Sequence, residues 1–188
     1  PRLPLVDGEL YLEYHRGTYT SQAQTKKNNR MSEILLHDVE FFNALAMNRV
    51  QGHSYPQQEI NENWKILLRN QFHDILPGSS IAEVYEDADE EFAQLFASGS
   101  KQLQTALDAV ASRVVMDGEK VVVFNSLSWE RNGTAILPWN DNLTGKVFVD
   151  DNGMELRSRI VETQAGRVVE IDVPEIPSFG YKAFSVKE

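Results

Sequence analysis

The spacing of apolar residues changes near Asp117-Gly118, and this change limits the fold more than any other feature of the sequence. Before it, apolar side chains recur at i, i+3 and i+4, the period that turns one face of an α-helix toward a core. After it, they come in short β-rich runs separated by turn residues.

The first helical segment covers about residues 21–47. Met31, Ile34, Leu35, Val39, Phe42, Leu45 and Ala46 share a face, and Ser21 with Gln24 has capping-box spacing. The second begins near Pro56, a residue suited to a first helical turn, and carries Ile60, Trp64, Leu67, Leu68, Ile75 and Leu76 up to a stop at Pro77-Gly78. The third opens on Ser80-x-x-Glu83, again a capping box. It continues to about residue 115 through Ile81, Val84, Tyr85, Ala88, Phe92, Leu95, Leu103, Ala106 and Val110. Short connections between such stripes predict an antiparallel three-helix bundle.

From Lys120 onward the runs are "KVVVFN", "TAILPW", "KVFVD", "ELRSRIVET", "GRVVEIDV" and "YKAFSV". Asn132-Gly133, Thr144-Gly145, Asn152-Gly153 and Ala165-Gly166 mark turns between them. This predicts an antiparallel β-sandwich-like portion, so the expected class is α+β multidomain. Six strands in roughly 70 residues make a thin core, which is expected to lean on the bundle or on further chain. The expected division is 1–20 as a connector, 21–117 as the bundle and 118–188 as the β portion. The opening residue is Pro1 rather than Met, and the sequence is expected to be a piece of a longer polypeptide.

The formal charge of -10 argues against nucleic acid or an anionic membrane surface as a main partner. No apolar run approaches the roughly 18–20 residues that span a bilayer. Cysteine is absent, which removes disulfides and thiolate metal sites and fits a reducing, cytoplasmic setting. Asn132-Gly-Thr and Asn142-Leu-Thr match a glycosylation acceptor pattern but are better explained as turns.

Chemistry concentrates in "RNQFHDILPGSS". On a regular helix His73 falls roughly 170° from the apolar stripe and Asp74 roughly 90° from it. Two readings follow from the residues: a solvated helix end, or a metal and ligand site, since imidazole and carboxylate are both metal donors. Zinc takes about four donors. The histidines are His15, His37, His53 and His73, and none stands at HExxH spacing. His37-Asp38 is a second pair, with His37 roughly 135° from its own stripe. A second candidate is "EYHRGTYTS", where Tyr14, His15 and Arg16 place an aromatic, a switchable donor and a cation before Gly17. It reads either as part of a sugar site or as a plain connector.

"ELYLEYHRGTYTSQAQTKKNNRMSE", followed by "NQFHDILPGSSIAEVYEDA", resembles the α-mannosidases of glycoside hydrolase family 38, nearest to the bacterial and cytosolic branch. "VVVFNSLSWER" and "PSFGYKAF" resemble strands that follow the bundle there. The resemblance implies a middle bundle preceded by an α/β catalytic domain and followed by β-rich domains. It implies that residues 1–20 are the tail of the first. It further implies that His73 is a ligand of one zinc ion whose other ligands lie outside this chain. Asp74 would contact mannose hydroxyls, and His15, with Arg16 and Tyr14 beside it, would line the sugar pocket. Many relatives have His-His-Asp where this chain has Phe72-His73-Asp74. The implied activity is retaining hydrolysis of terminal α-mannosides in oligosaccharides or small mannosides. The nucleophile and acid/base are expected elsewhere in the parent, so the isolated chain is expected to be inactive. The remaining domains of the parent are expected partners, and the acidic bundle leaves room for a homodimer. Two rivals stand beside this: a non-catalytic helical scaffold or carbohydrate-binding module, and a His-Asp metal phosphohydrolase.

Overall fold

Among the described residues, helical spacing produces three α-helices: α1 Ala23–Arg49, α2 Gln57–Asn70 and α3 Ala82–Ser112. They belong to a computed structural model that describes residues 2–8 and 15–188. The chain divides into two units, Pro1–Met47 with Gly52–Ala106, and Asn48–Gln51 with Leu107–Glu188.

In the helical unit, Leu36 of α1, Leu67 of α2 and Phe92 and Leu95 of α3 form a shared core, at most 1% exposed. α1 buries Val39, Phe42 and Ala46 as its apolar spacing predicts, but the rest of its packed face is shifted from that stripe. Met31 and Ile34 remain 49% and 47% exposed, while Thr25, Ser32 and Asn43 are buried. Leu68 and Ile81, expected in the stripes of the second and third helices, are exposed as well. Buried polar groups are costly unless bonded; Ser32 Oγ has no partner among the described residues, whereas the buried asparagines are bonded. Asn43 donates to Val39 O at 2.8 Å, and its Oδ1 lies 3.1 Å from His53 Nε2. Asn63 donates to Ser98 Oγ at 3.2 Å. The packed face is set by which side of α1 meets two other helices, and internal amide bonds make polar residues acceptable there.

Two further expectations are corrected. The second helix ends at Asn70, seven residues before Pro77, and tight turns follow. The third helix begins at Ala82, two residues after Ser80, whose hydroxyl donates to Asp74 O at 2.6 Å.

The β unit holds six strands: β1 Lys120–Asn125, β2 Arg131–Pro138, β3 Val147–Val149, β4 Ser158–Thr163, β5 Gly166–Ile176 and β6 Gly180–Lys187. They form two three-stranded antiparallel sheets, ordered β1-β6-β3 and β2-β5-β4. Alternate residues of β5 (Val169, Ile171 and Val173) join Phe148 of β3 and Phe184 of β6 in one core. Side chains from both sheets meet there, so the arrangement is a small sandwich. Asn125 ends β1 as a polar hub. Its amide nitrogen faces the carbonyls of Trp129, Pro177 and Ile176 at 2.8, 3.0 and 3.2 Å, and its oxygen accepts from Leu127 N at 3.1 Å.

Candidate functional site

The end of α2 is fastened on two sides before the chain leaves the helix. The buried Asn70 donates to Glu91 Oε2 of α3 at 2.7 Å, and the Arg69 guanidinium pairs with the same carboxylate. Gln71 donates to Asn29 Oδ1 and Glu33 Oε1 of α1 at 2.9 and 3.2 Å. The helix can therefore stop without fraying, because polar partners on both neighbours hold its last turn.

Phe72, His73 and Asp74 follow at once, in turns closed by Ile75 N and Leu76 N on Phe72 O, at 2.9 and 3.1 Å. His73 is exposed because it stands in this turn, and not because of an angular position on α2. The side chains of His73 and Asp74 are 75% and 56% exposed, and His73 Nε2 lies 3.2 Å from Asp74 Oδ2. The Phe72 ring sits 4.2 Å from the imidazole, tilted by 43°. An exposed imidazole beside an exposed carboxylate gives two donors that a metal or a hydroxylated ligand can reach.

The turn is rigid from behind. Asp74 O accepts from the Ser80 hydroxyl, and the Tyr85 hydroxyl lies 3.3 Å from both Asp74 O and Ile75 O while accepting from Ser80 N at 3.0 Å. Tyr85 reads in sequence as a core aromatic, and its body is indeed buried. Its hydroxyl role leaves no trace in apolar spacing.

The turn also meets the second candidate stretch. His15 O accepts from Thr18 N and Oγ1 at 3.2 and 3.0 Å, and Gly17 O accepts from Ser21 N at 2.7 Å. His15 and Arg16 are exposed, and Tyr14 lies outside the described residues. Ser21 then touches the loop after α2: a Cβ on Gly78 would come 2.7 Å from Ser21 Cβ. Lys26 Nζ reaches Ser21 O at 2.5 Å and Leu76 O at 2.8 Å. Burial at this junction lowers the Lys26 pKa below its ordinary value. The two candidate stretches are thus bonded together at one end of the helices.

His37 and Asp38 form a separate surface pair, 3.1 Å apart on α1. Among the described residues no group of three or more His, Cys, Asp or Glu is placed to hold a metal ion. A two-donor turn is therefore what the described residues offer. It fits a zinc ion only as part of a larger donor set, and a His-Asp phosphohydrolase centre would need more donors than it supplies. The loop-holding roles of Lys26, Gly78, Ser80 and Tyr85 were not read from sequence, where Gly78 stands as a helix stop, Ser80 as a cap and Tyr85 as part of an apolar stripe.

Comparison with known proteins finds relatives of this part of the chain. The family model of the α-mannosidase middle domain matches residues 13–110. The mouse protein "Alpha-mannosidase 2C1" is 41% identical over 132 residues, covering 70% of this chain and 12% of its own length. An α-mannosidase of Saccharomyces cerevisiae is 55% identical over 85 residues, 45% of this chain and 8% of its own. This chain therefore spans about an eighth or less of these relatives. In fold it is similar to an α-mannosidase from Enterococcus faecalis V583, with a TM-score of 0.76 and 21% identity over 92% of this chain and 24% of that one. A glycosyl hydrolase family 38 protein from Enterococcus faecalis is similar too, with a TM-score of 0.75 and 22% identity over 99% of this chain and 26% of that one.

Proposed function

Because this chain belongs to the α-mannosidase middle-domain family, we propose that it is part of a retaining, zinc-dependent α-mannosidase acting on terminal α-mannosides of oligosaccharides. In this reading residues 1–20 end the catalytic α/β domain, 21–117 are the middle domain, and 118–188 begin the C-terminal β region. His73 gives the zinc ion one neutral imidazole nitrogen, and Asp74 accepts hydroxyl hydrogens of the bound mannose. His15, Arg16 and Tyr14 line the sugar pocket. The remaining zinc ligands, the nucleophile and the acid/base come from chain outside these residues.

The observation that carries the reading is the exposure of an adjacent His73 and Asp74 in a turn fixed from behind by Tyr85 and Ser80. Such bracing from behind is the support that a site meeting a metal or another domain requires. When bound, zinc supplies templating of sugar hydroxyls. The chain's own part is to present one nitrogen and one carboxylate at fixed positions. The exposed Asp74 carboxylate is acceptor-only when ionised, which suits paired sugar hydroxyls.

The test is His73→Ala in the parent enzyme. Zinc content is expected to fall, and hydrolysis of an aryl α-mannoside to drop by more than about 100-fold. Loss of a ligand exceeds the roughly 10–100-fold typical of an outer partner. Retention of both zinc and activity would move the chain to the scaffold reading. The purified 188-residue chain is expected to show no hydrolysis.

A further inference from the structure

Given that His73 and Asp74 bind metal and sugar as proposed above, we infer that Lys26 is a positioning residue: it locks their loop to the segment carrying His15 and Arg16. The ammonium spans two backbone carbonyls from separate stretches of chain. Ser21 O, ahead of α1, lies 2.5 Å from Nζ, and Leu76 O, after α2, lies 2.8 Å away. Only Ile75 separates Leu76 from Asp74, and Gly17, one residue past Arg16, is bonded to Ser21 N at 2.7 Å. The clamp therefore sits within a few bonds of both candidate stretches.

Bonds from an ammonium to carbonyls are charge-assisted and stronger than neutral ones. Lys26 is half-buried, whereas its neighbour Lys27 is exposed. Close packing joins the same two segments a second time. Gly78, at φ +96°, lies so near Ser21 that a Cβ would approach Ser21 O to 2.9 Å. Salt-like clamp and bare-backbone contact together fix the loop laterally, while Tyr85 and Ser80 fix it from behind. Metal ligands tolerate about 0.2 Å of error in distance, so a loop freed on one side loses affinity before it loses its fold.

The test uses the parent enzyme with Lys26→Met, Lys26→Arg, Gly78→Ala and Lys27→Met. Zinc affinity is read by chelator competition, with KM, kcat and melting temperature measured at saturating zinc. Lys26→Met is expected to weaken zinc binding by about 10–100-fold, the range for residues supporting a metal ligand. KM is expected to rise several-fold, by more than kcat falls. Lys26→Arg keeps donors for both carbonyls and is expected to recover most of the zinc affinity. Gly78→Ala, which pushes the loop away by another route, is expected to weaken zinc as Lys26→Met does, and Lys27→Met to match the unaltered enzyme. Normal zinc affinity in Lys26→Met, beside lost zinc in His73→Ala, would overturn the clamp and leave the zinc reading standing. Lys26→Arg with normal melting temperature but no recovery of zinc affinity would also overturn it. Zinc retained by His73→Ala would instead remove the reading on which the clamp depends.

Discussion

In the helical unit, backbone bonds close within four residues, and side chains alone decide how helices meet. In the β unit, β1 finds its partner in β6, with Lys120 opposite Ser185, so the first strand is completed by the last. The difference shows in how each uses buried amides. Asn43, Asn63 and Asn70 each tie one helix to its surroundings, at separate points. Asn125 gathers carbonyls from the loop after β1 and from the end of β5 in one place. Helix ends are therefore free to be shaped by local polar contacts without disturbing the core beneath, and the turn bearing His73 and Asp74 is such an end. Strand ends in the β unit are already committed to closing the sandwich.

The largest expected effect comes from emptying either core. Phe184→Ala is expected to cost about 3–5 kcal/mol by denaturant unfolding, and Phe92→Ala a similar amount, as for other buried phenylalanines. If contact range matters as argued, Phe184→Ala also disturbs both edges of its sheet, because β6 pairs with β1 and β3. Amide exchange in β1 and β3 reads this directly. Unchanged protection there would break the comparison. Next in size is Asn125→Ala, expected to cost about 2–3 kcal/mol by leaving carbonyls unpaired. Asn63→Ala, with one side-chain partner, is expected to cost about 1 kcal/mol. Equal losses at the two sites would show that amide hubs and single amide ties do not differ.

The smallest effect concerns pH. Burial lowers the Lys26 pKa from 10.5, so the folded chain holds fewer protons than the unfolded chain between the lowered value and 10.5. Stability contributed by this group is therefore expected to rise as pH climbs through that window, and to stay level below it. Lys26→Met should flatten the slope in unfolding measurements at alkaline pH. An unchanged slope would show that the ammonium is not desolvated at the junction.

Much of the fold was legible because periodicity is a local property. The run "KVVVFN" became β1 with the same bounds, and "GRVVEIDV" became the start of β5. The end of α2 was not legible: Ile75 and Leu76 continued the apolar period past Asn70, but the backbone turned because Asn70 and Gln71 bond across to Glu91 and Asn29. At the site, adjacency of His73 and Asp74 was plain in the sequence. The partners that hold them were not, since a lysine in "TKKNNR" reads as a solvated charge and Tyr85 reads as core.

The sequence by itself determined where helical spacing yields to strands, which residues could serve as ligands, and which family's motifs the chain carries. These depend on neighbours a few residues apart, whose geometry the backbone fixes. The tertiary structure alone decided that α1 buries Thr25, Ser32 and Asn43 while Met31 and Ile34 face outward. It also decided that Lys26, and not Lys27, joins Ser21 to Leu76. Such choices depend on which distant groups arrive at the same point, and a burial or a bond exists only when both have arrived.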